Sequence, residues 1–473
     1  MIRAHTVEQV REAEAGLIAA LPRDALMQRA AHGLAHAVLD LLGPAYGRRV
    51  LLLVGAGDNG GDALYAGAVL ARRGVQVVAW SLSDRLHERA ASALRLAAGV
   101  VVREAPAVAP DLVVDGIVGI GGRPGLQPAA REALAAFSTV PVVAVDLPSG
   151  VDADTGETTG QPGDHVEALL TVTFGTHRVA HLVDPAATAC GAVHLVDLGL
   201  EPGPPAAEAL QTADVAALLP RPGLHAQKYS RGVVGVRAGS ETFPGAGLLS
   251  VAGAACGLAG MVRYVGDRGV LDLVHADHPE VVGAGRVQAW VVGSGSGEGA
   301  AGTLAEALDD GVPVVVDADA LVHAPRGRAD LVLTPHAGEL ARMLDVERDE
   351  VEACPLAHAR RAAESYGAVV LLKGRRTIVA QPDGPVRVTT TGTPWLATAG
   401  AGDVLGGVVG ALAAAGLTPY DAASVGAWLH GAAATRAAAG GPLVAGDVAR
   451  ALPGVVAAVL APGPDEQMGE SHA

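Results

Sequence analysis

Aromatic residues are nearly absent: Phe, Tyr and Trp together make up 3% of the 473 residues. The core cannot be built on rings. Half of the composition is hydrophobic, mostly Ala, Val and Leu, which suit buried parallel strands and close helix packing. Cysteine is scarce too. Cys190, Cys256 and Cys354 are widely spaced, so neither a disulfide framework nor a zinc-ligand cluster is visible, and all three are expected to be buried small apolar residues. Positive charge is in deficit, with 34 Lys and Arg against 50 Asp and Glu and a net charge of −16. This argues against a general nucleic-acid binder. It does not exclude a phosphorylated small molecule, which local dipoles and a few cations can hold. No uncharged apolar run of about 18 residues reads as a membrane span. The N-terminal stretch carries Arg3, His5, Glu8, Arg11, Glu12 and Glu14, which leaves no room for a signal-peptide core. The expectation is a cytoplasmic protein with neither nucleic-acid nor membrane partners.

What is present reads as two α/β domains. Val7, Val10, Ala13, Leu17 and Ile18 lie at helical spacing within a helical region near 7–42. From residue 50 the pattern alternates. Val50–Val54, Val75–Trp80, Leu112–Asp115, Val140–Val145 and Leu169–Phe174 read as strands, with a helix near 62–73 and further helical stretches between them. Pro and Gly cluster around 200–224, where the boundary is placed. A second run follows, with strands at Gly232–Val236, Ala289–Val292, Pro313–Val316, Leu331–Leu333 and Val369–Leu372 and helices at 245–262 and 404–415. Domains of 1–213 and 214–461 are expected, and 462–473 is expected to be a disordered tail.

The most informative segment is Thr393-Pro-Trp-Leu-Ala-Thr-Ala-Gly-Ala-Gly-Asp403, which runs into an apolar helix. Small residues before a helix N-terminus present backbone N–H groups to an anion, and a carboxylate at the edge can move a proton. The alternative is a Gly-rich turn with Asp403 as the helix N-cap. Earlier in the chain, Val54-Gly-Ala-Gly-Asp-Asn-Gly-Gly-Asp62 follows a strand and opens a helix. Asp58 and Asn59 break the dinucleotide fingerprint, so a structural turn is an open alternative. Asp115 precedes a second Gly-rich loop, and Asp146-Leu-Pro-Ser149-Gly-Val-Asp152-Ala-Asp154 follows the next strand. Carboxyl ends of parallel strands are where such sheets bind ligands. Asn59, Asp115, Asp146 and Ser149 would meet in one crevice as oxygen donors suited to a hard cation, although caps and turns also account for Ser149, Asp152 and Asp154.

These three motifs, spanning about 1–205, resemble the epimerase half of the bifunctional NAD(P)H-hydrate repair enzymes, a Rossmann-like three-layer sandwich. The resemblance implies that Asp58, Asn59, Gly60, Gly61 and Asp62 line the hydrate. Potassium (K+) would be held by Asn59, Asp115 and Ser149. Gly119, Ile120, Gly121, Gly122, Arg123, Pro124 and Gly125 would cover the ligand. Asp146 would contact it and move the proton. Asp58 stands where the family usually has Asn, and Gly119-Ile-Gly-Gly departs from the usual Gly-Thr-Gly.

The second half carries a further series: His225-Ala-Gln-Lys-Tyr-Ser-Arg-Gly232, Gly293-Ser-Gly295-Ser-Gly297, Asp317-Ala-Asp319, Thr334-Pro-His336-Ala-Gly-Glu339, Lys373-Gly-Arg-Arg-Thr377 and the 393–403 loop. Over about 214–460 that order resembles the ribokinase-like dehydratase half of the same family, with Gly400-Ala-Gly402-Asp403 for the family's Gly-Thr-Gly-Asp. Departures are Gly-Ser-Gly-Ser-Gly for Gly-Pro-Gly-x-Gly and Ala399 where Gly is usual. The resemblance implies Asp403 as general base in contact with the hydrate, together with Ala246, Gly295, Gly297 and His336. It implies nucleotide contacts from Lys373, Gly374, Arg375, Arg376, Thr377, Gly400 and Gly402. The implied activity is epimerisation of the R and S hydrates of NADH and NADPH, followed by dehydration of the S epimer. The co-substrate would be ADP (or ATP), giving AMP and phosphate from ADP, with magnesium (Mg2+). A homo-oligomer is expected. Two other readings stay open: a ribokinase-like kinase of a small alcohol or vitamin precursor fused to a nucleotide-binding domain, and a nucleotide-sensing or scaffolding protein with degenerate sites.

Overall fold

The computed structural model describes residues 1–461; the tail expected at 462–473 lies outside the described residues. The chain divides into two compact units, Arg3–Ala207 and Glu208 onward, the latter joined by Met1 and Ile2. Both are α/β.

The N-terminal unit is built on a seven-stranded sheet. Its order is Val100–Val102, Gln76–Ser81, Arg49–Val54, Leu112–Gly116, Val142–Val145, Leu170–Phe174 and Ala192–Val196. Every neighbouring pair is parallel. Leu51, Leu52 and Leu53 are fully enclosed, as a strand covered by helices on both faces requires. The chain winds one way from Arg49–Val54 and the other way from Leu112–Gly116, so the topological switch falls between them. In open parallel sheets the crevice outside such a switch is where ligands bind.

The C-terminal unit repeats the principle. Met261–Tyr264, Val233–Arg237, Ala289–Val292, Val314–Val316, Leu331–Leu333 and Val369–Leu372 are parallel neighbours in that order. Ile378–Ala380 and Val386–Val388 continue the sheet antiparallel. The switch lies between Val233–Arg237 and Ala289–Val292. The core gathers Val234, Val236, Val291, Val315 and Leu371 with Val404, Val408 and Leu412 from the helix Ala401–Ala414.

That helix is set by glycines. It crosses the helix Pro244–Ala254 so closely that a Cβ on Gly407 would meet the Ser250 carbonyl at 2.1 Å, and one on Gly253 would meet the Val404 carbonyl at 2.1 Å. Small residues at this crossing let the two backbones touch and fix where the Ala401–Ala414 N-terminus points.

Several local expectations shift. The first helical region breaks into Val7–Ala20 and Ala25–Leu42, and Ile18 points to solvent at 59% exposure. The helix expected from 62 begins at Asp58, because close packing of Gly60 under the Gly55 carbonyl overrides the low helix propensity of two glycines. Cys354 is half-buried, unlike Cys190 and Cys256. No helix among the described residues is long and apolar enough to cross a membrane.

Candidate functional site

In the N-terminal unit, Asp115 ends its strand fully buried. Its carboxylate accepts from Ser149 Oγ at 2.7 Å, Ser149 N at 2.8 Å and Ile117 N at 3.2 Å. Burial still pushes its carboxyl up to about 6, against those bonds. The Val118 N–H donates to Ser149 Oγ at 3.0 Å, and the Val118 carbonyl lies 3.1 Å from that oxygen. Asn59 comes to the same place: a Cβ on Gly119 would sit 2.7 Å from its Oδ1. Its buried Nδ2 has no hydrogen-bond partner among the described residues. Carboxylate, hydroxyl and carbonyl oxygens thus meet here, and the Asn59 amide oxygen reaches the adjoining loop at Gly119.

The loop 119–125 is tied back by Gly125 N donating to Gly150 O at 3.0 Å, and Ile120 packs against the Leu147–Val151 cluster.

Asp146 sits three residues before Ser149 in a left-handed conformation, φ 62°, which a non-glycine residue holds only when its surroundings impose it. They do. Fully buried Arg178 places Nη2 3.1 Å from Asp146 Oδ1, and Thr173 Oγ1 donates to the same oxygen at 2.9 Å. Arg178 N donates to His181 Nδ1 at 2.9 Å, which puts the ring proton on Nε2, where it is donated to the Asp146 carbonyl at 2.8 Å. Burial, then His177 and Arg178, hold His181 neutral, its pKa lowered to about 3. Asp62, 9% exposed, faces Asp146, Asp58 and Glu14. Burial first, and then those three carboxylates, push its carboxyl well above the usual range.

In the C-terminal unit, four strand ends in a row deliver side chains to one place: Ser294 after Ala289–Val292, Asp317 after Val314–Val316, Thr334 after Leu331–Leu333 and Lys373 after Val369–Leu372. Asp317 Oδ1 accepts from Lys373 Nζ at 2.7 Å and Thr334 Oγ1 at 2.8 Å, and Oδ2 accepts from Ser294 Oγ at 3.2 Å. Burial opposes the charge on Asp317, yet Lys373, Thr334 and Ser294 hold its carboxyl below the ordinary range. Glu339 Oε2 lies 3.7 Å from the same ammonium. A Cβ on Gly402 would lie 3.3 Å from Lys373 Nζ, so the helix N-terminus abuts this cation.

Asp403 is not the N-cap. Gly400, at φ 85°, takes that position, and Asp403 lies in the helix's first turn. Burial and then Asp317 push the Asp403 carboxyl up to about 6, against Ser294 and Lys373. A carboxylate that titrates there beside a positive helix end is placed to take a proton near neutral pH.

The other expected residues distribute unevenly. Ala246 and Gly295 meet, since a Cβ on Gly295 would lie 2.8 Å from the Ala246 Cβ. Gly297 N donates to Asp319 Oδ2 at 2.9 Å, beside a cleft of about 330 Å3 that Glu339 also lines. His336 caps the helix Ala337–Leu344 through Nδ1 and remains half exposed; its parallel bridge to Lys373 holds it at the site's edge. Gly374, Arg375, Arg376 and Thr377 form the turn between Val369–Leu372 and Ile378–Ala380. The His225–Gly232 motif goes elsewhere. It lines a concavity of about 480 Å3 with Leu258 and Ala415, at the far end of the Ala401–Ala414 helix, about 20 Å from Asp403 at 1.5 Å per residue.

The comparisons bear on what these two sites belong to. A family model described as NAD(P)H-hydrate dehydratase matches residues 234–447, and one described as YjeF-related protein N-terminus matches 23–180. A bifunctional NAD(P)H-hydrate repair enzyme of Mycobacterium leprae is 47% identical over 92% of this chain and 94% of its own. The chain belongs to this family. The Mycobacterium tuberculosis member is 46% identical over 89% of this chain and 91% of its own. Among solved structures, an ADP/ATP-dependent NAD(P)H-hydrate dehydratase of Bacillus subtilis, co-crystallised with ATP and Mg2+, is 28% identical. It covers 53% of this chain and 98% of its own, with a TM-score of 0.51. The C-terminal unit is ribokinase-like, as expected.

Within the family framework, sequence reasoning left several groups without a role. Asp317 and Glu339 pair with Lys373, and Ser294 and Thr334 hold Asp317. Asp317 carried a signal, an acid at the end of an all-Val strand. Arg178, His181, Thr173 and Glu14 carried none, because each is far from the Gly-rich motifs in sequence. Buried His430, whose Nε2 has no partner among the described residues, lies beside Ala401, and burial lowers its pKa to about 4.

Proposed function

We propose that the chain repairs hydrated nicotinamide cofactors. Its N-terminal unit interconverts the R and S hydrates of NADH and NADPH. Its C-terminal unit dehydrates the S hydrate with ADP, giving AMP and phosphate; ATP would serve by the same chemistry. Residues 1–213 and 214–461 are the two catalytic domains in this reading, and the location is the cytoplasm, in keeping with three free cysteines.

The observation that carries the dehydratase reading is the juxtaposition of Asp403, Gly402 and Lys373 at one helix N-terminus. Asp403 takes the proton of the ring hydroxyl as its oxygen attacks the terminal phosphorus of the nucleotide. The bond from that phosphorus to the bridging oxygen breaks and AMP leaves (ADP when ATP is used), the helix N–H groups and Lys373 stabilise the transferring charge, and phosphate then departs from C6 while C5 sheds a proton to solvent, restoring the C5=C6 double bond. Gly374, Arg375, Arg376 and Thr377 hold the nucleotide with Gly400 and Gly402. Ala246, Gly295, Gly297 and His336 hold the hydrate.

Magnesium, when present, neutralises nucleotide phosphate charge. Among the described residues no group of three acids, histidines or cysteines converges to hold a metal ion, so the ion is assigned to the nucleotide and no step is routed through it. The oxygen set of Asn59, Asp115 and Ser149, with its desolvated carboxylate, fits a hard monovalent cation such as potassium. That ion would offset the Asp115 charge and brace the 119–125 loop. In the same unit Asp58 to Asp62 and Gly119 to Gly125 bound the hydrate, and Asp146 is the proton-moving group.

The test supplies purified S hydrate with ADP. Restored reduced nicotinamide, with AMP and phosphate in equal amount, supports the reading. A stable phosphorylated product would instead identify a small-alcohol kinase.

A further inference from the structure

The N-terminal site holds more carboxyl groups than cation binding and ligand contact require. Asp62 and Asp146, both over nine-tenths buried, share their surroundings with Asp58 at the rim and half-buried Glu14 from the helix Val7–Ala20. Against these four stand buried Arg178, paired with Asp146, and Arg11, which faces Glu14 from its own helix. The two buried acids differ in their partners. Asp146 has an arginine and a threonine on Oδ1, and Oδ2 takes no hydrogen bond among the described residues. The Asp62 side chain has neither hydrogen bond nor ion pair among the described residues, and the charges that act on it are those of carboxylates. The buried Nδ2 of Asn59, one turn before Asp62, likewise has no partner among the described residues. Buried polar groups are rarely left so without a water, an ion, a ligand or a catalytic role to account for them.

We infer that epimerisation runs through a cationic ring, with Asp62 as the acid that releases the C6 hydroxyl and Asp146 as the base that restores it. This rests on the N-terminal assignment above. Burial among like charges, with no donor on its carboxylate, favours the protonated form of Asp62, the donor that such a pair needs. Asp62 gives its proton to the C6 hydroxyl as the C6–O bond breaks. The ring nitrogen lone pair forms the N1=C6 bond, leaving water and an iminium cation. A second water adds to C6 from the opposite face, the N1=C6 pair returns to nitrogen, and Asp146 takes the proton that this water sheds. Proton return from Asp146 to Asp62 through solvent completes the cycle, with no net change in atoms or charge. The surplus of carboxylates favours this route, because it stabilises a positive ring in a desolvated site. A ring-opening route through a neutral aldehyde would gain nothing from that field. Asp58, where the family usually has Asn, adds to the field.

The route has an isotopic signature. The departing oxygen leaves from one face and the incoming one arrives at the other, so the C6 oxygen is replaced at each inversion. The experiment incubates pure S hydrate of NADH with the full-length protein in 18O-labelled water, omitting nucleotide so that dehydration is idle. Epimer ratio and C6 label are followed together and corrected for the protein-free rate. The expected result is one solvent oxygen per inversion. Enzyme-dependent inversion without label overturns the cationic route while leaving the epimerase reading intact. Absence of enzyme-dependent inversion overturns both. Asp62→Asn is expected to slow inversion by roughly 10^2–10^4-fold through kcat rather than KM, while dehydration of S hydrate with ADP is unchanged. Inversion at the original rate in that variant overturns the assignment of Asp62.

Discussion

Lys373 Nζ lies 2.7 Å from Asp317 Oδ1, a pair that ties two strand ends of the C-terminal unit together beside the N-terminus of the helix that carries Asp403. Glu339 is the second acid on the same ammonium. Lys373 is therefore held as a fixed cation beside Gly402 rather than as a mobile surface charge. Replacing it by Met leaves Asp317 buried and unpaired, which costs both stability and anion binding. Lys373→Met is expected to raise the KM for nucleotide and to lower the thermal midpoint. Calorimetry with and without ADP checks both effects.

Asp403→Asn removes the proposed base without changing side-chain size. Dehydration of S hydrate is expected to fall by roughly 10^2–10^4-fold, with nucleotide binding retained. Single-turnover kinetics with S hydrate provide the check, and an unchanged rate would exclude Asp403 as the base.

The pH profile of dehydration follows from the same group. A base must be ionised to act, and the Asp403 carboxyl is pushed up to about 6 by burial and by Asp317. kcat/KM is expected to fall as pH drops through that value. Asp317→Asn removes the neighbouring negative charge and frees Lys373 to act on Asp403. Both changes favour the carboxylate, so the acid limb is expected to move to lower pH. A limb that stays in place would mean that another group titrates.

The legibility of these sites in the sequence was uneven for physical reasons. Strands such as Ala289–Val292 and Leu331–Leu333 were readable to the residue because they are buried on both faces and written as apolar runs. Glycine-rich turns marked where strands hand over to helices, so Asp115, Asp146, Lys373 and Asp403 stood out. Partnerships did not. Nothing in the sequence announces that Arg178, 32 positions after Asp146, turns back to grip it, or that Glu14 reaches the acid cluster from the first helix, because tertiary packing alone makes those contacts. The helix start at Asp58 was hidden by Gly60 and Gly61, whose value is close backbone approach rather than propensity. The polar His225–Gly232 motif looked functional in sequence yet sits at the far end of the Ala401–Ala414 helix.

The helix crossing that aims Asp403 is open to a direct stability test. Gly407→Ala would force a methyl to 2.1 Å from the Ser250 carbonyl, and overpacking of this kind costs about 1–3 kcal/mol. The urea midpoint is expected to drop, and dehydration to weaken as the helix N-terminus shifts. A variant with the original midpoint and rate would mean that the two helices are not held in contact.

Asp146→Asn is expected to separate the two activities. Conversion of R to S hydrate is expected to be lost, while ADP-driven dehydration of S hydrate continues at its original rate. Equal loss of both would contradict a model with two independent sites.

The most direct test of the whole account is recovery of reduced nicotinamide absorbance from an equal mixture of R and S hydrates of NADH, supplied with excess ADP and magnesium in potassium buffer. The expected result is complete recovery, faster than the spontaneous epimerisation rate, with one AMP formed per reduced cofactor. Recovery that stops at the S half would contradict the N-terminal assignment, and ADP consumption without restored absorbance would contradict the C-terminal one.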